Sequence, residues 1–290
     1  MSDEDDVKEV RSSDRVFVYP EGFLDPALPR GGVMSPSQVS MYQRCPRQFE
    51  FRYIREVVEA PGISMVKGTA IHKGAEVSHR RMIETGSPPD VKEAMQAVAD
   101  CFAAESLFIE NWEGYDSGVV KDKAVASYAA YHHQALPRIR PVHAEKTFAI
   151  KVGCVPVRGV IDLIDSVKDT EMSLENDPDN PRMVEVVSDL KTTTKKWPEQ
   201  KIRYTHQLTF YALAEDTNKV RIDFLVDLKA GPRYEQERSV RTLQDKLLLV
   251  EDVEQVASLV KKGDFPRCDP TSWACTLKFC GYYERCRGKV

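Results

Sequence analysis

The sequence predicts an α/β (α+β) protein: a largely helical N-terminal half, then a central sheet, then a closing helix. Three observations carry this reading. Apolar residues recur at helical spacing from Val91 to Phe108 (Val91, Met95, Val98, Phe102, with Cys101 beside them), and again at Val125, Tyr128, Ala129 and Leu136. After Pro141 the texture changes to short runs rich in β-branched residues, VHAEKTFAIKV, VPVRGVIDLID, MVEVVSDLKTT and VRIDFLVDL, parted by Gly, Asn, Asp and Pro. From Val240 to Val260 the helical period returns. A chain of 290 residues with 42% hydrophobic content can bury one large core. Neither an internal repeat nor a low-complexity linker divides it, so one domain with helices around a sheet is expected.

Residues 1–30 open with MSDEDDVKEV, where Asp3, Glu4, Asp5 and Asp6 mark an acidic tail expected to be disordered. Residues 31–290 are expected to form the domain, with helices over 31–140, the sheet over 141–230, and a helix plus a cysteine-rich segment over 231–290. Ser35-Pro36-Ser37-Gln38 reads as an N-cap serine, a proline at the first helical position and a glutamine at the third, so a helix starts there. Cys45-Pro46 breaks and restarts it, and Phe49, Tyr53 and Ile54 give the second piece an apolar face. Between strands, Asp169 to Pro181 (DTEMSLENDPDNP) is polar enough for an exposed hairpin loop.

The N-terminus lacks the basic start and apolar run of a signal peptide, and no stretch approaches eighteen uninterrupted apolar residues. A soluble, cytoplasmic protein without a membrane partner is expected. In a reducing compartment seven cysteines are a poor disulfide framework, and clustered ones lean toward metal binding. A net charge of −4 does not advertise a polyanion-binding protein. Locally, however, Lys191, Lys195, Lys196, Lys201 and Arg203 crowd one stretch, and Lys261, Lys262, Arg267, Lys278, Arg285, Arg287 and Lys289 crowd the C-terminus. Such runs serve either as solvated faces or as phosphate contacts.

Asp162 in GVIDLID and Asp189 in VSDLK interrupt runs that otherwise read as buried. A buried carboxylate is costly unless something positive meets it. Side chains alternate along a strand, so Asp189 and Lys191 project from one face and can address one point in space. For a lone Asp-x-Lys an internal salt bridge is the commoner arrangement. The alternative is a divalent metal held by carboxylates from two adjacent strands, which polarises a phosphoryl oxygen and acidifies a bound water, with the lysine stabilising developing charge.

Six segments taken together resemble the RecB-like branch of the PD-(D/E)XK nuclease superfamily, whose fold is a restriction-endonuclease-like mixed sheet flanked by helices. In order they are SPSQVSMYQRCPRQFEFRYI with its Cys-Pro step, KGTAIHKGAE with Gly-x-x-x-His, GVIDLID with Gly-x-x-Asp, SDLKTT with Asp-x-Lys, QLTFYAL with Gln-x-x-x-Tyr, and CTLKFCGYYERC, similar to a terminal cysteine cluster. They run from about residue 35 to residue 286. The resemblance implies that His72, Asp162, Asp189 and the Leu190 carbonyl hold Mg²⁺ or Mn²⁺, that Lys191 orients or activates the attacking water, and that Gln207 and Tyr211 position the DNA strand or the lysine. Glu145, on the strand before Asp162, matches an acidic position given a supporting role. Lys195, Lys196 and Lys201 are candidate DNA contacts.

The same resemblance, here to the CRISPR-associated and AddB-type iron-sulfur nucleases, implies that Cys45, Cys275, Cys280 and Cys286 bind a 4Fe-4S cluster. Such a cluster would tie the two ends of the chain together. The familiar spacing has two residues between the second and third cysteines, whereas Cys275 and Cys280 have four between them. Cys268 is near enough in sequence to be a ligand, and four thiolates equally suit structural Zn²⁺. Trp273, Phe279, Tyr282 and Tyr283 are expected to pack around the cluster or to stack on bases, and Cys101 and Cys154 to be core residues.

The function implied is a metal-dependent DNA nuclease, an exonuclease on single strands or DNA ends in recombination, repair, replication or foreign-DNA processing, working with a helicase or a recombination or adaptation partner. The alternative is a DNA-binding or partner-docking module that keeps the fold without cutting. A redox enzyme is weaker, because no nucleotide-cofactor motif accompanies the cysteines.

Overall fold

The computed structural model describes residues 8–12, 15–168 and 182–288. The chain divides into two compact units, one comprising Met1–Glu59, Thr147–Val160 and Thr242–Val290, the other Ala60–Lys146 and Ile161–Arg241.

The second unit begins with three helices, α4 (Ile63–Thr85), α5 (Val91–Ser106) and α6 (Ser117–Gln134), that pack on one another. Asp90 and Asp116 cap the last two by accepting from the backbone N–H groups of Lys92 and Val119. Gly74 sets the closeness of the crossing, because a Cβ there would lie 2.5 Å from Val98 and 2.7 Å from the Tyr128 ring. Their shared core, with Ile71, Val98, Phe102 and Tyr128 at its centre, also receives Leu163, Leu190, Leu225 and Tyr234 from the sheet.

That sheet has the order β3-β4-β5-β6-β7, with β3 at Pro141–Val152, β4 at Val155–Lys168, β5 at Met183–Thr193, β6 at Lys219–Leu228 and β7 at Gly231–Val240. β4 and β5 are antiparallel, β5 and β6 parallel, β6 and β7 antiparallel. The parallel step needs a crossover, which α7 (Glu199–Tyr204) and α8 (His206–Ala214) supply, with α8 packing on β5 and β6. β6 is buried without a break from Val220 to Val226, as expected of its nearly continuous apolar run. The expected loop at Asp169–Pro181 lies outside the described residues.

The first unit holds a hairpin of β1 (Lys8–Ser12) and β2 (Arg15–Tyr19) within the stretch read from sequence as an acidic tail. Phe17 and Tyr19 are buried with Phe23 and Val33, and residues 1–7 lie outside the description. A single turn, α1 (Pro29–Gly32), precedes α2 (Pro36–Arg44), whose cap is Ser35 accepting from the Gln38 backbone N–H at 3.3 Å. Cys45-Pro46 breaks the chain into α3 (Pro46–Phe49) and a π-turn over Glu50–Ile54. α9 (Leu243–Lys261) starts on a Thr242/Asp245 capping box, and α10 (Tyr283–Arg287) ends the described chain. Tyr42 donates to the Asp264 carbonyl at 2.6 Å, tying α2 to the chain that leads into the cysteine segment. Among the described residues no helix is long and apolar enough to cross a membrane.

Candidate active site

α4, β3, β4 and β5 bring the expected residues to one place in the second unit. His72, one turn after Gly68 on α4, has its Nδ1 3.5 Å from Asp162 Oδ2 on β4. Glu145 joins them from β3: one ligand atom each from His72, Glu145 and Asp162 lie within 4.8 Å of one another. Glu145 adopts φ 52°, a left-handed conformation unusual for a residue with a side chain and a form of local strain that clusters at functional sites. Asp162 Oδ2 also accepts from the Leu190 backbone N–H at 3.0 Å, so Leu190 is fixed against the same carboxylate.

Asp189 is 1% exposed. Its Oδ2 lies 2.6 Å from Lys191 Nζ, while its buried Oδ1 has no hydrogen-bond partner. Burial pushes its pKa up to about 6, a rise that the Lys191 charge opposes and the neighbouring Asp162 carboxylate reinforces. Lys191 shows the other half of an asymmetric pair: burial would lower it, but Asp189 and Asp162 together hold it above its ordinary value. Lys191 Nζ donates to Gln207 Oε1 at 3.1 Å, and Gln207 Nε2 donates to Tyr211 Oη at 2.8 Å. Burial, reinforced by the Asp162 and Asp189 charges, raises the Tyr211 phenol well above the usual range, so it stays protonated. The i, i+4 spacing of Gln207 and Tyr211 on α8 therefore builds a chain of contacts that ends on Lys191.

A model of the PD-(D/E)XK nuclease superfamily matches residues 33–287. The chain belongs to this superfamily. Its mixed five-stranded sheet flanked by helices is the superfamily's restriction-endonuclease-like fold, with Asp162 on β4 and the Asp189-x-Lys191 pair on β5. Among solved structures the fold is shared with a provisionally assigned exonuclease from Eubacterium rectale, at 14% identity and a TM-score of 0.53 over 84% of this chain and 86% of that one. A second structure, of SSO0001, aligns at 13% identity with a TM-score of 0.34 over 82% of this chain and 92% of that one. No curated protein matches the chain.

This PD-(D/E)XK cleft has further lining that the sequence did not single out: His79, Tyr131, Ser188 and Asp223 share it with His72, Glu145 and Asp162. His79 lies two turns after His72 on α4. Burial drives its pKa down to about 4, so it is neutral, with Nε2 2.9 Å from Tyr131 Oη. Glu76, also in the cleft, pairs with Lys73 and Arg80. Of the three candidate DNA-binding lysines, Lys195 is exposed, Lys196 is tied to Glu237 and Glu235, and Lys201 Nζ sits 3.7 Å from the centre of the Trp197 ring.

In the first unit Cys45, Cys268, Cys275, Cys280 and Cys286 line one cavity. Burial would raise the Cys45 thiol, but hydrogen bonds from the Cys268 and Gln48 backbone N–H groups and from the Cys268 thiol bring it below its ordinary value. The Cys268 thiol is pushed up to about 12 by burial and by the neighbouring Cys45 and Cys275 thiols. Arg47, Arg267 and Arg287 line the same cavity. Tyr282 stacks on Phe51 at 5.3 Å beside it, whereas Trp273 and Phe279 meet edge to face at 5.6 Å and are exposed. Cys101 packs against the helical core, but Cys154, expected to be buried, is exposed at the turn after β3, where its backbone N–H donates to Glu254.

Proposed function

We propose that this protein is a divalent-metal-dependent deoxyribonuclease that acts as an exonuclease on single strands or DNA ends. The observation that carries the reading is Asp189: a buried carboxylate with one oxygen on Lys191 and the other without a partner, beside the His72, Glu145 and Asp162 group. An orphaned anionic oxygen is costly to bury and fits a cation that would complete it. His72, Glu145 and Asp162, with Asp189 and the Leu190 carbonyl beside them, would offer oxygen donors and one imidazole suited to Mg²⁺ or Mn²⁺. When bound, such an ion polarises a phosphoryl oxygen and lowers the pKa of water.

The chain's own residues supply positioning and charge. Lys191 keeps its proton because the two carboxylates outweigh burial, so its ammonium stabilises negative charge developing on the phosphoryl group and orients the attacking water. Gln207 holds that ammonium in place and Tyr211 holds Gln207. Asp189→Ala and Lys191→Ala should each reduce cleavage of end-labelled single- and double-stranded DNA in Mn²⁺ by at least about a hundredfold, with the far-ultraviolet circular dichroism unchanged. Near-wild-type rates in either variant would remove the assigned site. A wild-type protein that binds DNA yet never cuts it, with Mn²⁺ or Mg²⁺, would instead be the non-cleaving module.

We also infer a 4Fe-4S cluster on Cys45, Cys275, Cys280 and Cys286, the set the resemblance names, with the Cys268 thiol, which lies beside those of Cys45 and Cys275, as the alternative ligand. Its support is the convergence of the cysteines on one cavity and their spacing. A tetrahedral Zn²⁺ with Zn–S bonds of 2.3 Å needs sulfurs about 3.8 Å apart. Among the described residues no three cysteine sulfurs lie within 4.8 Å of one another, a spread that suits a cluster better than a single ion. Arg47, Arg267 and Arg287 would offset the negative charge of four thiolates. A reducing cytoplasm would keep the thiols available, and a helicase or recombination partner would deliver the DNA ends.

A further inference from the structure

The sheet face that packs on α4 and α6 carries a buried polar network. Arg221 Nη1 is 2.6 Å from Asp165 Oδ2, and its Nη2 donates to Asp223 Oδ2 at 2.9 Å. Ser188 also donates to Asp223, as does Tyr234 Oη at 2.8 Å, and Asp165 accepts from the Arg140 backbone N–H at 2.7 Å. All of Asp165, Arg221 and Asp223 are at most 1% exposed. One end of this network, Ser188 and Asp223, forms the wall of the metal cleft. The other end, Arg221, forms the wall of a separate cavity of about 490 Å³.

That second cavity is lined by Arg138, Arg140, Lys168, Arg221 and Arg238, and among the described residues no carboxylate lines it. The charge of Arg221 is met by Asp165 and Asp223. Arg138, Arg140 and Lys168 are exposed, and among the described residues none of the three has an ion-pair partner. Three unmatched cations converging on a concave surface repel one another, and an anion bound between them relieves that repulsion. The fold gathers them deliberately from distant sequence. Ile139 is buried, so Arg138 and Arg140 are both turned out, and the bond from the Ser166 backbone N–H to the Arg140 carbonyl fixes them beside the end of β4. Register pairing places Arg238 directly opposite Arg221.

Resting on the nuclease reading, we propose that this cavity seats backbone phosphates of the DNA strand whose end lies in the metal cleft, several nucleotides from the scissile bond. Ser166 and Lys168 lie four and six residues beyond Asp162 on the same strand, roughly 13 to 20 Å at 3.3 Å per residue. At about 3.4 Å per phosphate along a stacked strand, that is roughly four to six nucleotides. The site therefore contributes grip on long substrates and nothing to chemistry on very short ones.

The test pairs Arg138→Gln/Arg140→Gln with Lys168→Gln, all remote from the metal cleft. Binding of a labelled 20-nucleotide single strand is read by anisotropy in EDTA, and cleavage in Mn²⁺ on that strand and on a dinucleotide. The double variant should bind the 20-nucleotide strand at least tenfold more weakly, with the slope of log affinity against log salt lower by about two, and Lys168→Gln should lower it by about one. KM for the long strand should rise while kcat and dinucleotide cleavage stay unchanged. An unchanged salt slope, or dinucleotide cleavage falling in parallel, would overturn the inference, the second because it marks damage to the fold. Inorganic phosphate binding lost in the double variant while DNA binding stays intact would also overturn it, assigning the cavity to free phosphate. Wild-type protein that binds DNA in EDTA with the expected dependence on these residues but cuts nothing would sink the nuclease reading and leave the cavity assigned.

Discussion

Titrating Mn²⁺ into the protein between pH 5 and pH 8 probes the electrostatics of Asp189. Burial lifts this carboxyl to about 6 despite the attraction of Lys191. A cation needs the ionised form, so below that value each binding event displaces a proton. At pH 5 about nine-tenths of Asp189 would carry its proton, which weakens apparent affinity about tenfold relative to pH 8. The expected result is a Kd that falls about tenfold per pH unit at the acid end and flattens above about pH 7, with roughly one proton released near pH 5. Calorimetry in two buffers of different ionisation enthalpy counts that proton. Asp189→Asn should bind more weakly and lose the Asp189 contribution to the acid limb. The stability of the metal-free fold moves the opposite way. Because the folded value lies above the ordinary 3.8, the native state holds the proton more tightly than the unfolded chain. This contribution is fully present below 3.8 and is lost as pH rises through about 6, a loss on the order of 3 kcal/mol that Mn²⁺ should recover. A Kd independent of pH, or an identical acid limb in Asp189→Asn, would refute the reasoning.

Three other outcomes are expected. Cys45→Ser and Cys280→Ser should each abolish the brown absorbance and the roughly four irons per chain of anaerobically purified protein, while Cys268→Ser keeps both; zinc in place of iron, or loss only with Cys268, would reassign the ligands. Gly74→Ala should lower the free energy of unfolding in urea, because overpacking costs about 1–3 kcal/mol against Val98 and Tyr128 while better helix propensity returns at most about 1 kcal/mol; a more stable variant would show that the crossing can give. In DNA binding, Lys196→Gln should leave the salt slope unchanged because Glu235 and Glu237 already meet that charge, whereas neutralising Lys195 and Lys201 should lower it by about one unit per phosphate contact.

Elements whose information is local were legible in the sequence. β5 runs over Met183–Thr193, the residues of the β-branched run MVEVVSDLKTT, and α2 starts behind the Ser35 cap because a cap and a proline act within one turn. The spacing of Asp189 and Lys191 likewise fixed their shared face, since alternation along a strand is a local rule. The rest depends on which distant segments pair and pack. β7 reads as polar (GPRYEQERSV) and buries little beyond Tyr234; it is a strand because β6 offers it a hydrogen-bonding edge, which no periodicity within β7 encodes. Glu145 stands with His72 and Asp162 through a left-handed residue in β3, and the basic cavity collects Arg138, Lys168 and Arg238 across a hundred positions. Cys268, which the sequence left open as a ligand, lines the cysteine cavity by the path of the chain after α9. Periodicity reports which face of an element is buried; which elements then meet depends on pairing and packing between residues far apart in the chain, and that information is not held in any one stretch.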